Sequence, residues 1–139
     1  MTTVVFPGRY ESLAKIGEFI RRAATTAGFD SLATYTVETA VDEACSNIIE
    51  HAYGGEERGN IECTCNETDD KLIIILCDQG ETFTPEEVAE PDLSLPLEDR
   101  DTHGLGLYFM RRWMDEIHFE HPPGGGNTVI MVKLKTRVA

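Results

Sequence analysis

The sequence predicts an α/β two-layer sandwich, with a mixed, mostly antiparallel sheet and about three helices on one face. Three observations carry this. Apolar residues between positions 10 and 53 recur at helical spacing in two blocks, whereas those between 60 and 77 alternate or run continuously, as strands do. Successive strands are separated by short polar turns, which favours hairpin pairing. Helices grouped in sequence beside such strands then have a sheet face to cover.

The elements follow in order. Thr2 to Phe6 is a β-rich run ended by Pro7-Gly8. Tyr10 to Ala27 carries Leu13, Ile16, Phe19, Ile20, Ala23, Ala24 and Ala27 at helical spacing, with Gly28 as the stop. Asp30 or Ser31 caps a second helix that runs to about Tyr53 and ends at Gly54-Gly55. Asn60 to Glu67 alternates Ile61, Cys63 and Cys65 against Glu62, Thr64 and Asn66, a half-buried strand. After a polar turn, LIIILC (Leu72 to Cys77) reads as a strand at the sheet centre, broken by Asp78-Gln79-Gly80. Thr82 to Thr102 holds Pro85, Pro91, Pro96 and many acids; it is longer than most connections, as lids and binding loops are. Leu105 to Met114 is a third helix, with Gly104 and Gly106 at its mouth. Glu116 to His121 alternates like a strand, PPGGGN is a turn, and Thr128 to Lys135 is the last strand. One domain spanning 1–139 is expected, with a lid at about 81–103.

The composition bounds the function. The chain has 139 residues, 41% hydrophobic and 27% charged, as in ordinary globular domains. Its net charge of −13 disfavours direct contact with nucleic acid or an anionic membrane surface. No apolar run is long enough to span a bilayer, and the start has no secretory pattern, so a cytoplasmic location is expected. Any anion site must work against the overall charge, through a helix N-terminus, backbone amides or a bound cation. Cys63 and Cys65 should share a strand face, with Cys77 near them; Cys45 falls on the apolar side of the second helix. Their spacing does not match a zinc site, and small buried hydrophobes are the plainer reading.

Three stretches carry candidate chemistry. In VDEACSNIIEHAYGG, Glu43 and Asn47 lie about 40° apart on a helix and Glu43 and Glu50 about 20° apart, so they share a face with His51 close by. Alone, that stripe reads as a solvated face. Asp78 follows a buried strand, where α/β proteins place ligand contacts, although Asp also favours turns. HGLGLYFMRRW opens a helix with two glycines, leaving backbone amides open to an anion, but it is neither a Walker A loop nor a Rossmann fingerprint. Arg111 and Arg112, nearly two turns further on, suit partner contact or solvation.

The ordered set is more specific than its parts. Glu-x-x-x-Asn on a helix, Asp-x-Gly after an apolar strand, Gly-x-Gly-Leu opening a helix and Gly-Gly-Asn-Thr before a last strand together resemble the GHKL superfamily of ATP-binding domains, the Bergerat fold. EACSNIIEHAYGG, GLGLYFMRRWMDEI and FEHPPGGGNTV look most like its stand-alone anti-sigma-factor serine/threonine kinases, the RsbW-like group. The resemblance covers nearly the whole chain.

It implies roles residue by residue. Glu43 matches the general base. Asn47 matches the Mg2+ ligand, and ATP is the cofactor. Asp78 matches the carboxylate that accepts the adenine amino group, and Gly80 lets the backbone approach the base. Gly104, Leu105, Gly106 and Leu107 match the phosphate-binding box. Thr128 matches a hydroxyl that helps hold the adenine. His51 and Tyr53 recur in the group's helix motif with no assigned chemistry. Glu98, Asp99 and Asp101 stand awkwardly before the glycine box; they either face outward or help hold metal-bound water. The implied partners are a sigma factor and an anti-anti-sigma protein of the STAS type, with a homodimer expected. The implied activity is transfer of the ATP γ-phosphate to a Ser or Thr of the antagonist. The alternatives are a non-catalytic ATP-binding module and a histidine-kinase-like catalytic fragment.

Overall fold

The computed structural model describes residues 1–83 and 110–135. In chain order these form β1 (Thr2–Pro7), α1 (Ser12–Thr26), α2 (Ser31–Asn47), a π-helical turn (Ile48–Ala52), β2 (Asn60–Glu67), β3 (Lys71–Asp78), β4 (Glu116–Glu120) and β5 (Asn127–Leu134). Residues 110–113, ahead of β4, are helical and belong to the expected third helix. The strands form one sheet in the order β1-β2-β3-β5-β4. Every pairing among them is antiparallel.

The alternation within β3 sets the layers. Leu72, Ile74, Leu76 and Asp78 point to the buried face, and Ile73, Ile75 and Cys77 to the other. The buried face packs Ile61, Cys63, Ile74, Leu76 and Met131 against Ile16, Ile20, Val37, Val41 and Ile48 of the helices. A buried aliphatic side chain of this kind typically contributes about 1.5–3 kcal/mol. On the opposite face Ile73, Ile75 and Ile130 are only partly covered, and Val5 is 55% exposed. Cys77 lies on this second face, against the Thr128 hydroxyl, and so apart from Cys63 and Cys65, contrary to expectation.

The helix ends follow the sequence signals. Gly28, at φ +94°, takes the left-handed position after α1. Its N–H and that of Phe29 bond back to Thr25 and Ala24, closing the helix with the paired bonds of a Schellman motif. Asp30, of the two candidates, caps α2: its carboxylate accepts the Ala33 N–H at 2.8 Å. Arg21 of α1 binds Glu38 of α2 through two nitrogens, at 2.8 and 3.2 Å, and ties the two helices across their exposed side. The sequence reads as one helix to Tyr53, but the α-helical part ends at Asn47. Over Ile48–Ala52 the chain widens by one residue per hydrogen bond, and the Tyr53 N–H reaches the Ile48 carbonyl at 3.0 Å.

Candidate functional site

The centre of the candidate site is Asp78, the last residue of β3. Its side chain is on the helix-covered face and 2% exposed. Oδ1 accepts from the Gly80 N–H at 2.9 Å and from the Asn127 side-chain amide at 3.0 Å. Oδ2 is buried with no hydrogen-bond partner. An unpaired buried carboxylate oxygen is costly, and native structures keep few such groups without a use. Burial pushes the Asp78 carboxyl above the usual carboxylate range, against the opposing pull of its bonds to Asn127 and Gly80.

Two neighbours hold this residue in place. Asn127, the first residue of β5, faces Asp78 in the sheet register. Its NH2 also donates to the Glu81 carbonyl at 2.9 Å, and its Oδ1 accepts from the Phe83 N–H at 3.2 Å and meets His121 Nδ1 at 3.2 Å. It therefore stitches the strand end to the segment leaving β3. Tyr53, just past the π turn, supplies the second hold. Its hydroxyl donates to the Asn60 carbonyl at 2.5 Å and accepts the Gln79 N–H at 3.0 Å. The chemistry missing from the sequence reading of Tyr53 is this positioning bridge between the helix end and the Asp-Gln-Gly turn.

Gly80 makes a close approach within the protein. A Cβ there would run into the backbone carbonyl of Ala52, whose oxygen also accepts the Glu81 N–H at 2.8 Å. The glycine lets the strand exit press on the π turn. Gly126 is constrained on both counts: its φ is +82°, and a Cβ would strike the Asp78 carbonyl oxygen.

Thr128 does not join this set. It pairs with Cys77 in the register, and its hydroxyl sits 3.7 Å from the Cys77 sulfur on the opposite sheet face. Because side chains alternate along a strand, the residue facing Asp78 is its neighbour Asn127. The Thr128 hydroxyl and the Asp78 carboxylate thus lie on opposite sheet faces, and the side chain that holds Asp78 is the Asn127 amide. The signal was present in the NTVIM stretch: Asn127 lies two residues before Val129 and four before Met131, on the same inward face.

Glu43 and Asn47 sit one turn apart on the last two turns of α2, both half-buried. No described residue hydrogen-bonds either side chain. Burial first, then the negative charges of Asp42 and Glu50, raise the Glu43 carboxyl above its ordinary range. A raised carboxyl suits proton transfer near neutral pH. Glu50 is also bound by the Tyr10 hydroxyl at 3.2 Å. His51 is exposed, with its ring 5.8 Å from that of Phe83 and Nε2 4.0 Å from Glu50. Arg111 and Arg112 are both exposed.

The donor set fits the group that the site would bind. The unpaired Oδ2 of Asp78 is an acceptor for an exocyclic amine, and the Asn47 amide oxygen is a hard donor suited to Mg2+, which keeps few protein ligands. Among the described residues no cluster of three His, Cys, Asp or Glu side chains could hold a metal by itself. Gly104, Leu105, Gly106, Leu107, the acids Glu98, Asp99 and Asp101, and nearly all of the expected lid lie outside the described residues.

Comparison with known proteins agrees with this geometry. The sequence profile of the histidine kinase-like ATPase domain matches residues 6–133. The serine-protein kinase RsbW of Bacillus cereus (strain AH187) is 34% identical over 131 residues, covering 91% of this chain and 80% of that protein. RsbW of Bacillus mycoides (strain KBAB4) is 33% identical over the same coverage. Nucleotide-free structures of the catalytic domain of histidine kinase ThkA share the fold. One gives a TM-score of 0.57 at 18% identity, covering 99% of this chain and 100% of that one. Another gives 0.55 at 18% identity, with 97% and 98% coverage. No helix among the described residues is long and apolar enough to cross a membrane.

Proposed function

The chain belongs to the histidine kinase-like ATPase family and to its RsbW-like group, and from that premise we propose that it is an ATP-dependent anti-sigma regulator with serine/threonine protein kinase activity. The observation that carries the nucleotide half of this reading is the buried, unpartnered Oδ2 of Asp78, held in place by Asn127, Gly80 and, through the turn, Tyr53. The kinase half rests on Glu43 and Asn47 standing one turn apart on α2, with the Glu43 carboxyl raised.

In this reading Asp78 accepts the adenine amino group. Asn47 offers its amide oxygen to Mg2+. Mg·ATP, when bound, supplies the γ-phosphoryl group and offsets its own charge against a chain of net charge −13. Glu43 would take the proton of the attacking Ser or Thr hydroxyl as its oxygen bonds to the γ-phosphorus and the bond to the departing ADP oxygen breaks. The glycine box at Gly104 and Gly106 is assigned to the phosphates, and the lid role to residues of about 81–103. The partners are a sigma factor, held directly, and an anti-anti-sigma protein of the STAS type, which is phosphorylated. The location is cytoplasmic. A homodimer completes the reading, with a second copy covering the partly exposed sheet face at Val5, Ile73, Ile75 and Ile130.

The test is Glu43→Ala assayed with labelled ATP and the cognate antagonist. Transfer should vanish while nucleotide binding stays within a few-fold of wild type. Transfer that survives rejects Glu43 as the base. Absence of phosphorylation by the wild-type chain on any candidate partner, with ATP binding intact, favours a non-catalytic binding module.

A further inference from the structure

The turn between β4 and β5 brings one more polar side chain to the Asp78 site. His121 follows β4 and precedes Pro122-Pro123. A residue before proline is held to extended backbone, so little freedom is lost in placing its ring. The Gly125 N–H bonds back to the Pro122 carbonyl at 3.0 Å, and Gly126 passes against the Asp78 carbonyl. The closed turn sets His121 Nδ1 3.2 Å from Asn127 Oδ1. The direction of this bond follows from its neighbours. The Asn127 NH2 donates to two oxygens, Asp78 Oδ1 at 3.0 Å and the Glu81 carbonyl at 2.9 Å, while Oδ1 accepts the Phe83 N–H at 3.2 Å. Turning the amide over would set its oxygen against two acceptors and its NH2 against a donor. Asn127 Oδ1 is therefore the acceptor towards His121 as well, and His121 Nδ1 carries a proton.

We propose, building on the reading of Asp78 as the adenine acceptor, that His121 is a positioning residue for the nucleotide site: its Nδ1–H holds the Asn127 amide in the orientation that engages Asp78 Oδ1 and leaves Oδ2 to the ligand. It acts through Asn127 and not by touching the nucleotide. With His121 in place the amide is fully used, its two N–H groups donating and both lone pairs of its oxygen accepting. Without it, one lone pair turns to solvent and the amide is held by one bond fewer. The neutral Nδ1–H tautomer and the imidazolium both donate from this nitrogen, so the role does not depend on the charge of the ring.

The bond joins three parts of the chain that meet only in the fold: the β4–β5 turn, the start of β5 and the 81–83 segment that leaves β3. Asn127 is 4% exposed, whereas His121 is exposed, so water competes for the outer bond and its loss costs less than loss of the amide itself. The side chain that replaces His121 can separate the donor from the shape. Asparagine carries an N–H group near the place of Nδ1. Leucine has nearly the shape of asparagine and no donor.

The experiment compares His121→Leu and His121→Asn in the full chain, with the Kd for a non-hydrolysable ATP analogue and Mg2+ measured by calorimetry. His121→Leu should raise Kd about three- to tenfold, and His121→Asn should stay within about twofold of wild type. In an Asn127→Ala background His121→Leu should add less than about twofold, because its effect runs through that amide. Nitrogen NMR of the free wild-type chain, at a pH where the ring is neutral, should show the His121 proton on Nδ1. The role of His121 is overturned if His121→Leu binds within about twofold of wild type, or if the leucine and asparagine variants lose affinity equally. It is also overturned if the leucine effect is undiminished in the Asn127→Ala background, or if the neutral ring carries its proton on Nε2. A wild-type chain that does not bind the analogue overturns the reading of Asp78, whereas any of these failures with wild-type binding intact overturns the role of His121 alone. Circular dichroism melts of each variant separate lost positioning from lost fold.

Discussion

The two ends of the central strands are built on opposite terms. Where β3 exits, a buried carboxylate is fixed by an amide, a backbone N–H and a phenol-supported turn, and one oxygen is left unsatisfied. Where β2 exits, the buried groups are the soft thiols of Cys63 and Cys65, beside a cleft that opens between helix and sheet. The difference teaches that burial acts on the two ends differently. At the first, a carboxylate is buried with one oxygen unpaired, which is costly. At the second, small weakly polar groups are buried at little cost.

The contrast can be broken most severely at Gly80. Gly80→Ala forces a Cβ into the Ala52 backbone, which cannot move aside as a side-chain tip would. A loss of about 3 kcal/mol in urea unfolding is expected, together with loss of ATP binding. A variant of wild-type stability would show that the π turn yields.

Asn127→Ala comes next. It strips Asp78 Oδ1 of its side-chain donor and frees the 81–83 segment. A stability loss of about 1–3 kcal/mol should appear, with weakened nucleotide binding. Thr128→Val, on the other sheet face, should leave binding within about twofold, and the difference between the two variants measures how one-sided the site is.

The smallest effect has the opposite sign. The folded-state carboxyl of Glu43 is raised, so its ionised form destabilises the fold above that pKa and not below the unfolded one. Glu43→Gln should therefore stabilise the chain at neutral pH by less than about 1 kcal/mol, given the partial exposure of the group. The gain should shrink towards zero as pH falls through the carboxylate range. A melting-temperature series from pH 8 to pH 4 reads this directly, and a gain that persists in acid would assign it to packing.

Much of this was legible in the sequence. The periodicity of Ile16, Ile20, Val37 and Val41 and the apolar run into Asp78 placed both layers and the strand end that carries the carboxylate. The start of the last strand was harder to read. Beginning it at Thr128 rather than Asn127 leaves out the side chain that faces Asp78, and the flanking glycines carry no hydrophobic pattern to mark the strand's first residue. The π turn was invisible for a similar reason, since Ile48, Ile49 and Ala52 are buried in an α or a π geometry alike. Gly80 was identified as a close approach, but its neighbour, the Ala52 carbonyl, comes from a turn that only the fold brings near.

The Tyr53 hydroxyl has a thermodynamic consequence. Tyr53 stands at the end of the helical segment that carries Glu43 and Asn47, and its hydroxyl bridges the start of β2 at Asn60 to the turn that presents Asp78. On the proposed reading, a protein bound along α2 and a nucleotide bound at β3 would both act on this bridge. Whatever one ligand does to the affinity of the other, it must receive in equal measure.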